Sequence, residues 1–200
     1  MLDIRLLPTP HSFAANTYLI SSNGEYAVVD PATPFSKDYF EGELKYVLLT
    51  HAHFDHILDI DSWVKNGAKV IISADEAEAL SDPMRNCFKL FDGTDSGYFG
   101  EVTPLTDGES IRLGDHEIRI MVCPGHTIGS AAYLCDRVAF VGDTVFAGGS
   151  FGRYDLPTGN YVMLRDSIRK LADLPEDTML YPGHGEATSV RQFKKDFFRR

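Results

Sequence analysis

Three histidines and an aspartate fall within seven residues of this 200-residue chain, in the string Thr50-His51-Ala52-His53-Phe54-Asp55-His56. In extended backbone, residues two apart point to the same side, so His51 and His53 can grip one ion together. If the chain turns after Phe54, Asp55 and His56 face a second ion close to the first. Imidazole and carboxylate in this mixture suit zinc, iron or manganese. Two more histidines occur in matching surroundings, Pro124-Gly125-His126 and Pro182-Gly183-His184, and Asp143 stands in Gly142-Asp143-Thr144. A Pro-Gly pair lets the backbone turn sharply and brings the next side chain inward. A lone histidine after a strand is more often a cap or a core residue than a ligand. Three with an aspartate, directly after an apolar run, have no comparable packing explanation. His11 and His116 lack such surroundings and are expected to be ordinary surface histidines.

These side chains need a rigid frame. The nearly continuous apolar run Leu44–Thr50 predicts a strand covered on both faces, followed by an amphipathic helix over Leu58–Asn66. A strand over Ala68–Ser73 and a short helix over Ala74–Leu80, stopped by Pro83, come next. Earlier runs, Ile4–Leu7, Thr17–Ser21 and Tyr26–Asp30, read as strands, with Asn23-Gly24 as a hairpin turn between the last two. Later, Ser110–Leu113 and Glu117–Cys123 flank Gly114-Asp115 as a second hairpin, and Ala131–Leu134 and Val138–Val141 are two more strands. A helix over Tyr161–Leu171, a strand over Thr178–Tyr181 and a basic helix over Val190–Arg200 complete the pattern. Four strand ends thus deliver ligand-type side chains, as expected of a site built on a rigid α/β scaffold. Residues 82–100 mix Pro, Gly, Asn and aromatics without periodicity, which marks a candidate lid. Within it, Arg85 and Asn86 read either as substrate contacts or as a structural turn. Cys87 has no neighbouring His or Lys and reads as an inert, buried thiol.

Composition bounds the rest. Hydrophobic residues at 44% and charged residues at 24% describe an ordinary globular chain, so one domain over residues 1–200 is expected. A formal charge of −10 opposes a phosphate backbone, which excludes nucleic acid as the expected partner. No apolar run reaches membrane-spanning length and the first residues do not read as a secretory leader, so no membrane is expected. The three cysteines, Cys87, Cys123 and Cys135, are widely spaced, which fits a reducing compartment, and a cytoplasmic location is expected.

With its H-x-H-x-D-H string followed by an isolated His, an Asp and a final His, the chain resembles the metallo-β-lactamase superfamily. Within it the motifs are similar to those of the short glyoxalase II-like (hydroxyacylglutathione hydrolase-like) hydrolases. The matching stretches are Asn16–Ile20, Thr50–His56, Pro124–Ser130, Gly142–Gly159 and Pro182–Thr188. The resemblance implies a four-layered αββα sandwich. It implies a first metal site at His51, His53 and His126, a second at Asp55, His56 and His184, and Asp143 bridging both. Two divalent ions would occupy them, zinc foremost, with iron or manganese as alternatives. Their charge would stabilise a metal-bridging hydroxide as nucleophile at neutral pH, with Asp55 orienting it and taking its proton. The implied substrate is a small acyl thioester such as S-lactoylglutathione, for which an anionic small molecule is an allowed partner.

The turn Gly152-Arg153-Tyr154-Asp155 departs from glyoxalase II, with Arg153 where Lys is expected and Asp155 where Tyr is expected. Arg153 and Tyr154 are the candidate substrate contacts; Arg153 could hold a carboxylate bidentately, whereas Asp155 would repel it. The same G-R-x-D pattern occurs in persulfide dioxygenases of the superfamily, which use one iron and oxygen, while His184-Gly185-Glu186 favours hydrolysis. A non-catalytic, metal-bound scaffold is the further alternative. Glyoxalase II proper also carries a C-terminal helical domain with basic residues. Here Lys194, Lys195, Arg199 and Arg200 read instead as the solvated face of a last helix.

Overall fold

The structure is a computed structural model that describes residues 2–9 and 11–198. Two six-stranded sheets form its centre. The first runs in spatial order β1 (Asp3–Leu6), β2 (Tyr18–Ser22), β3 (Glu25–Val29), β4 (Glu43–Leu48), β5 (Lys69–Ser73) and β6 (Val102–Leu105). Its first three strands are antiparallel neighbours, and β3 to β6 are parallel. The second contains β7 (Ser110–Leu113), β8 (His116–Val122), β9 (Ala131–Cys135), β10 (Val138–Gly142), β11 (Met179–Pro182) and β12 (Thr188–Ser189), again in chain order. All its pairs are antiparallel except β10 with β11.

The layering follows from side-chain alternation along the strands. In β4 and β5, Val47, Val70 and Ile72 face one buried cluster, which Trp63 of helix α1 (Ile60–Val64) completes. Leu48 and Ile71, one residue out of phase, join Tyr18, Ile120, Tyr133 and Phe140 in the cluster between the sheets. On the far side, Ala139 and Val141 of β10 meet Leu164 and Ile168 of α3 (Tyr161–Ala172) and Val190 and Phe193 of α4 (Val190–Phe197). Three apolar layers therefore separate four structural layers, which is the αββα sandwich. Its two covered faces explain why Leu44–Thr50 is apolar throughout rather than alternating. The outer helices are capped by side chains: Asn160 accepts from the Met163 amide at 3.1 Å, and Ser189 from the Gln192 amide at 3.2 Å. The Asn23-Gly24 hairpin forms as expected, with both residues at positive φ (49° and 78°) and Ser22 paired to Glu25.

Several elements differ from the sequence expectation. The helix expected over Leu58–Asn66 is regular only over Ile60–Val64, and that expected over Ala74–Leu80 is a 3-10 turn at Ala77–Ser81. β6 was not expected, because Pro104 interrupts its apolar run; the strand survives because it lies at the sheet edge, where a missing N–H is tolerated. The 82–100 stretch holds a short helix, α2 (Phe88–Phe91). Of the expected basic helix, Val190–Phe197 is helical, and Arg199 and Arg200 lie outside the described residues. No described helix is long and apolar enough to cross a membrane.

Candidate metal centre

The ends of β4, β8, β10 and β11 bring the motifs together. After β4 the chain stays extended through His53 (φ −61°, ψ 145°), then makes a 3-10 turn over Phe54–His56 that reverses the direction of Asp55 and His56. His51, His53 and His126 converge with their donor atoms within 4.8 Å of one another, and so do Asp55, His56 and His184. Asp143 lies between the two sets: its Oδ2 is 3.7 Å from His126 Nε2 and 3.6 Å from His184 Nε2, and its Oδ1 is 3.3 Å from His56 Nε2. All seven residues expected from the sequence thus meet in one place. The turns that deliver them are cross-tied between sheets, by the Ala131 amide to the Thr50 carbonyl (2.8 Å) and the Asn16 amide to the Gly183 carbonyl (2.7 Å).

The two Pro-Gly pairs serve different needs. Gly125 has φ +132°, and a side chain there would strike the backbone of Leu164 at the start of α3. Gly183 is not in the left-handed region; a Cβ there would run into Asp143 Oδ1 and the His56 ring.

Tautomers can be assigned from the outer hydrogen bonds. His126 Nδ1–H donates to the Arg153 carbonyl (2.6 Å), and Thr50 Oγ1, itself donating to Asp30 (2.7 Å), accepts from His51 Nδ1–H (3.1 Å). Both Nε2 atoms therefore carry lone pairs, yet they face each other at 3.2 Å, and His126 Nε2 is 2.9 Å from His53 Nδ1. Nitrogens bound to one tetrahedral zinc at ~2.05 Å would be about 3.3 Å apart. The two facing Nε2 lone pairs of His51 and His126 repel at such a separation unless a cation sits between them. His56 shows the same design: Nδ1 is held by Asp30 Oδ2 at 2.9 Å, while the buried Nε2 and Asp143 Oδ1 make no hydrogen bond of acceptable geometry. The residues present therefore fit a bound cation at both sets.

Electrostatics agree. Burial, reinforced by the neighbouring histidines, lowers His51 well below the usual imidazole value and takes His53 to about 3; burial also lowers His126. All three are neutral ligands at pH 7. Burial alone would lower His56 too, but Asp30, Asp143 and Asp55 outweigh it and raise it. Burial would likewise raise Asp143, but His56 and its neighbours hold this carboxylate far below the usual range.

Two supporting carboxylates escaped the sequence reading. Asp30, at the end of β3 with φ 49°, accepts from the Thr50 amide (2.8 Å), Thr50 Oγ1 and His56 Nδ1, and so fixes both the first loop and the His56 tautomer. Glu76, 1% exposed, accepts from the Ala52 amide (3.1 Å) and the Gly129 amide (2.9 Å), tying the His51–His53 segment to the loop that carries His126. Asp30 could have been found by asking of β3 what was asked of the other strand ends. Nothing local marks Glu76.

A cavity of about 420 Å³ opens on both donor sets, lined also by Phe13, Phe91, Phe146, Arg153 and Leu156. Arg153 is there as expected, but its Nε and Nη2 are both held by Asp155 at 2.8 and 2.9 Å. Tyr154 is outside this lining and packs on Tyr161, with ring centroids 5.0 Å apart. Asn86 is a structural turn residue: it is fully buried, and its amide donates to the Leu80 and Ser96 carbonyls. Arg85 pairs with Glu78 at 3.3 Å. Cys87 lines the cavity, but burial pushes its thiol up to about 11, so it is inert as expected. His11 stacks on Phe13 at the surface, and His116 pairs with Asp136 at 3.0 Å.

The profile of the metallo-β-lactamase superfamily matches residues 12–184. A protein described as a probable metallo-hydrolase of Methanocaldococcus jannaschii is 31% identical over 88% of this chain and 90% of its own length. The hydroxyacylglutathione hydrolase GloC of Haemophilus influenzae is 29% identical over 97% of this chain and 96% of its own. Among solved structures, the B3 metallo-β-lactamase BLEG-1 superposes with a TM-score of 0.86 at 28% identity, covering 99% of each chain. The layers, the paired donor sets and this match along most of the sequence lead to one conclusion: the chain belongs to the metallo-β-lactamase superfamily.

Proposed function

We propose that this chain is a dinuclear metal-dependent hydrolase of small acyl thioesters. The observation that carries the reading is the pair of donor sets with Asp143 between them, each with its donor atoms within 4.8 Å of one another, on an open cavity. His51, His53 and His126 would hold one ion, Asp55, His56 and His184 the other, with Asp143 serving both and zinc the first choice for this nitrogen-rich set. Bound divalent ions supply a water of lowered pKa and a Lewis acid for the substrate carbonyl. Asp55 lines the cavity with Oδ2 3.0 Å from His184 Nε2, as two donors of one set would lie, which leaves Oδ1 to orient the attacking water and accept its proton. Asp30 and Glu76 act as positioning residues. A thiolate departs without a strong general acid, so a thioester asks no proton donor of this lining beyond the groups already named. The glyoxalase II-like relative supports this substrate class. The open cavity counts against a non-catalytic scaffold. Three buried, free cysteines support a reducing compartment.

The test combines metal analysis with a panel of thioesters, a β-lactam and glutathione persulfide on one preparation. About two metals per chain with thioester turnover is the expected result. Two metals and no thioester cleaved would overturn the reading. A second reading, an iron persulfide dioxygenase, draws on the Gly152-Arg153-Tyr154-Asp155 turn and predicts about one iron per chain and oxygen uptake with the persulfide.

A further inference from the structure

Beside the metal cavity lies a second hollow of about 450 Å³, lined by Phe13, Phe54, Leu58, Phe88, Phe91 and Asp92. Phe13, Phe54 and Phe91 line both, so the two spaces are neighbours that share these three rings. Phe54 is the hinge between them. It sits between His53 and Asp55, stacks on Phe91 (centroids 5.4 Å), meets Phe13 at a tilt (6.0 Å), and its amide donates to the Asn86 carbonyl at 2.8 Å. That last bond pins the 82–100 segment to the metal loop, so the segment is a fixed wall of the groove. Phe13 and Phe91 nevertheless leave 53% and 54% of their surface to solvent. Two half-exposed phenylalanines at the mouth of a catalytic cavity form an apolar patch in need of an occupant.

Charge selects among occupants. Apart from the metal-site residues, Arg153 is the one cation lining either space among the described residues, and Asp155 already holds its Nε–Nη2 edge and balances its charge. An anionic substrate arm would find only the outer Nη1 edge of a cation already balanced by Asp155, and would meet Asp92 in the second hollow. An apolar group needs no cation and gains from leaving water for aromatic surface.

We propose that the thioester carries an apolar acyl group, aliphatic or aryl, seated in the Phe13–Phe54–Phe91 groove, and that Asp155 weakens Arg153 as a carboxylate anchor by balancing its charge. The inference rests on the hydrolase reading. The step adds water across the C–S bond, the hydroxyl going to the acyl carbon and a proton to the departing sulfur, with no change of oxidation state.

The test measures kcat/KM of the metal-loaded protein on N-acetylcysteamine thioesters of increasing acyl length and on S-lactoylglutathione, with calorimetric binding of the matching non-hydrolysable thioethers. The expected result is a rise of about fourfold per methylene until the groove is filled, in both turnover and binding. The slope should flatten in Phe91→Ser and Phe13→Ser, whose exposed positions tolerate the change. Asp155→Asn should free Arg153 and raise turnover of S-lactoylglutathione severalfold relative to the uncharged esters. A flat length profile with S-lactoylglutathione as the best substrate overturns the groove and leaves the hydrolase standing. If no thioester is cleaved, the hydrolase reading fails, and the thioether binding series then decides the groove alone. Size-exclusion runs complete the set: a Phe91→Ser variant that turns a dimer into a monomer and keeps the wild-type slope would assign the groove to a second copy and overturn the proposal.

Discussion

Replacing Gly183 with alanine should disturb the metal centre through a single methyl group. The backbone there is outside the left-handed region, so alanine introduces no conformational strain. Its Cβ would come within 2.5 Å of His56 Cε1 and 3.2 Å of His56 Nε2, and would also overlap Asp143 Oδ1. Carbon atoms pack at about 3.5–4.0 Å, so something must move by about 1 Å. The turn itself is held on both sides, its amide on the Gly142 carbonyl (2.9 Å) and its carbonyl on the Asn16 amide (2.7 Å), and His56 is anchored by Asp30. The Asp143 carboxylate must therefore yield, and the His56 ring must shift against its anchor, since neither movement relieves the other contact. Metal–ligand distances tolerate about ±0.2 Å, several times less than the displacement required. Metal affinity should fall by at least the 10–100-fold (roughly) seen for supporting residues, and kcat/KM by about 100-fold. Metal content after equilibration with a buffered metal concentration, followed by the thermal midpoint of the metal-free protein, reads this directly. Content should drop while the metal-free midpoint stays near wild type. Gly185→Ala is the comparator: its φ of +79° brings strain of about 1–2 kcal/mol, yet nothing lies within 4 Å of its Cβ, so metal content should be kept. A Gly183→Ala protein with full metal and wild-type turnover would refute the reasoning.

Three further outcomes follow from the same contacts. Asp143→Ala should lose metal from both donor sets, whereas His11→Ala should change neither metal content nor rate; metal analysis and the thioester assay check both. Asp30→Asn places an amide where one oxygen now accepts, which disfavours the Nδ1–H tautomer of His56 and should weaken metal binding roughly 10–100-fold in a chelator competition. Unchanged affinity would remove Asp30 from its positioning role. Burial raises the Glu76 carboxyl above its ordinary value despite three hydrogen bonds, so its folded pKa exceeds its unfolded one. The stability it contributes is then present below the unfolded pKa and lost as pH rises through the folded one. Glu76→Gln lacks that loss, so its stability relative to wild type should improve as pH rises across the window. A pH-independent difference in denaturation midpoints would contradict this.

How much of the site could be read beforehand varies by residue for physical reasons. His51, His53, Asp55 and His56 are local: four donors within six residues need only one extended stretch and one turn to face a common centre. His126, Asp143 and His184 were legible because each repeats the same strand-then-glycine context. Asp30 and Glu76 were not, since their partners lie at least 20 residues away and a buried carboxylate looks in sequence like any solvated one. β6 was missed because Pro104 argues against a strand until its edge position is known.

By itself the sequence determined the candidate donors and most of the strands and helices that carry them, because both depend on residue type and short-range periodicity, while the sandwich was implied by the family resemblance. Tertiary structure alone decided which nitrogen of His51, His56 and His126 is free, because that depends on hydrogen bonds to Thr50, Asp30 and the Arg153 carbonyl. It also decided that Arg153 is held by Asp155 and that Phe13, Phe54 and Phe91 make one groove, since pairing and cavity shape arise only when distant segments pack.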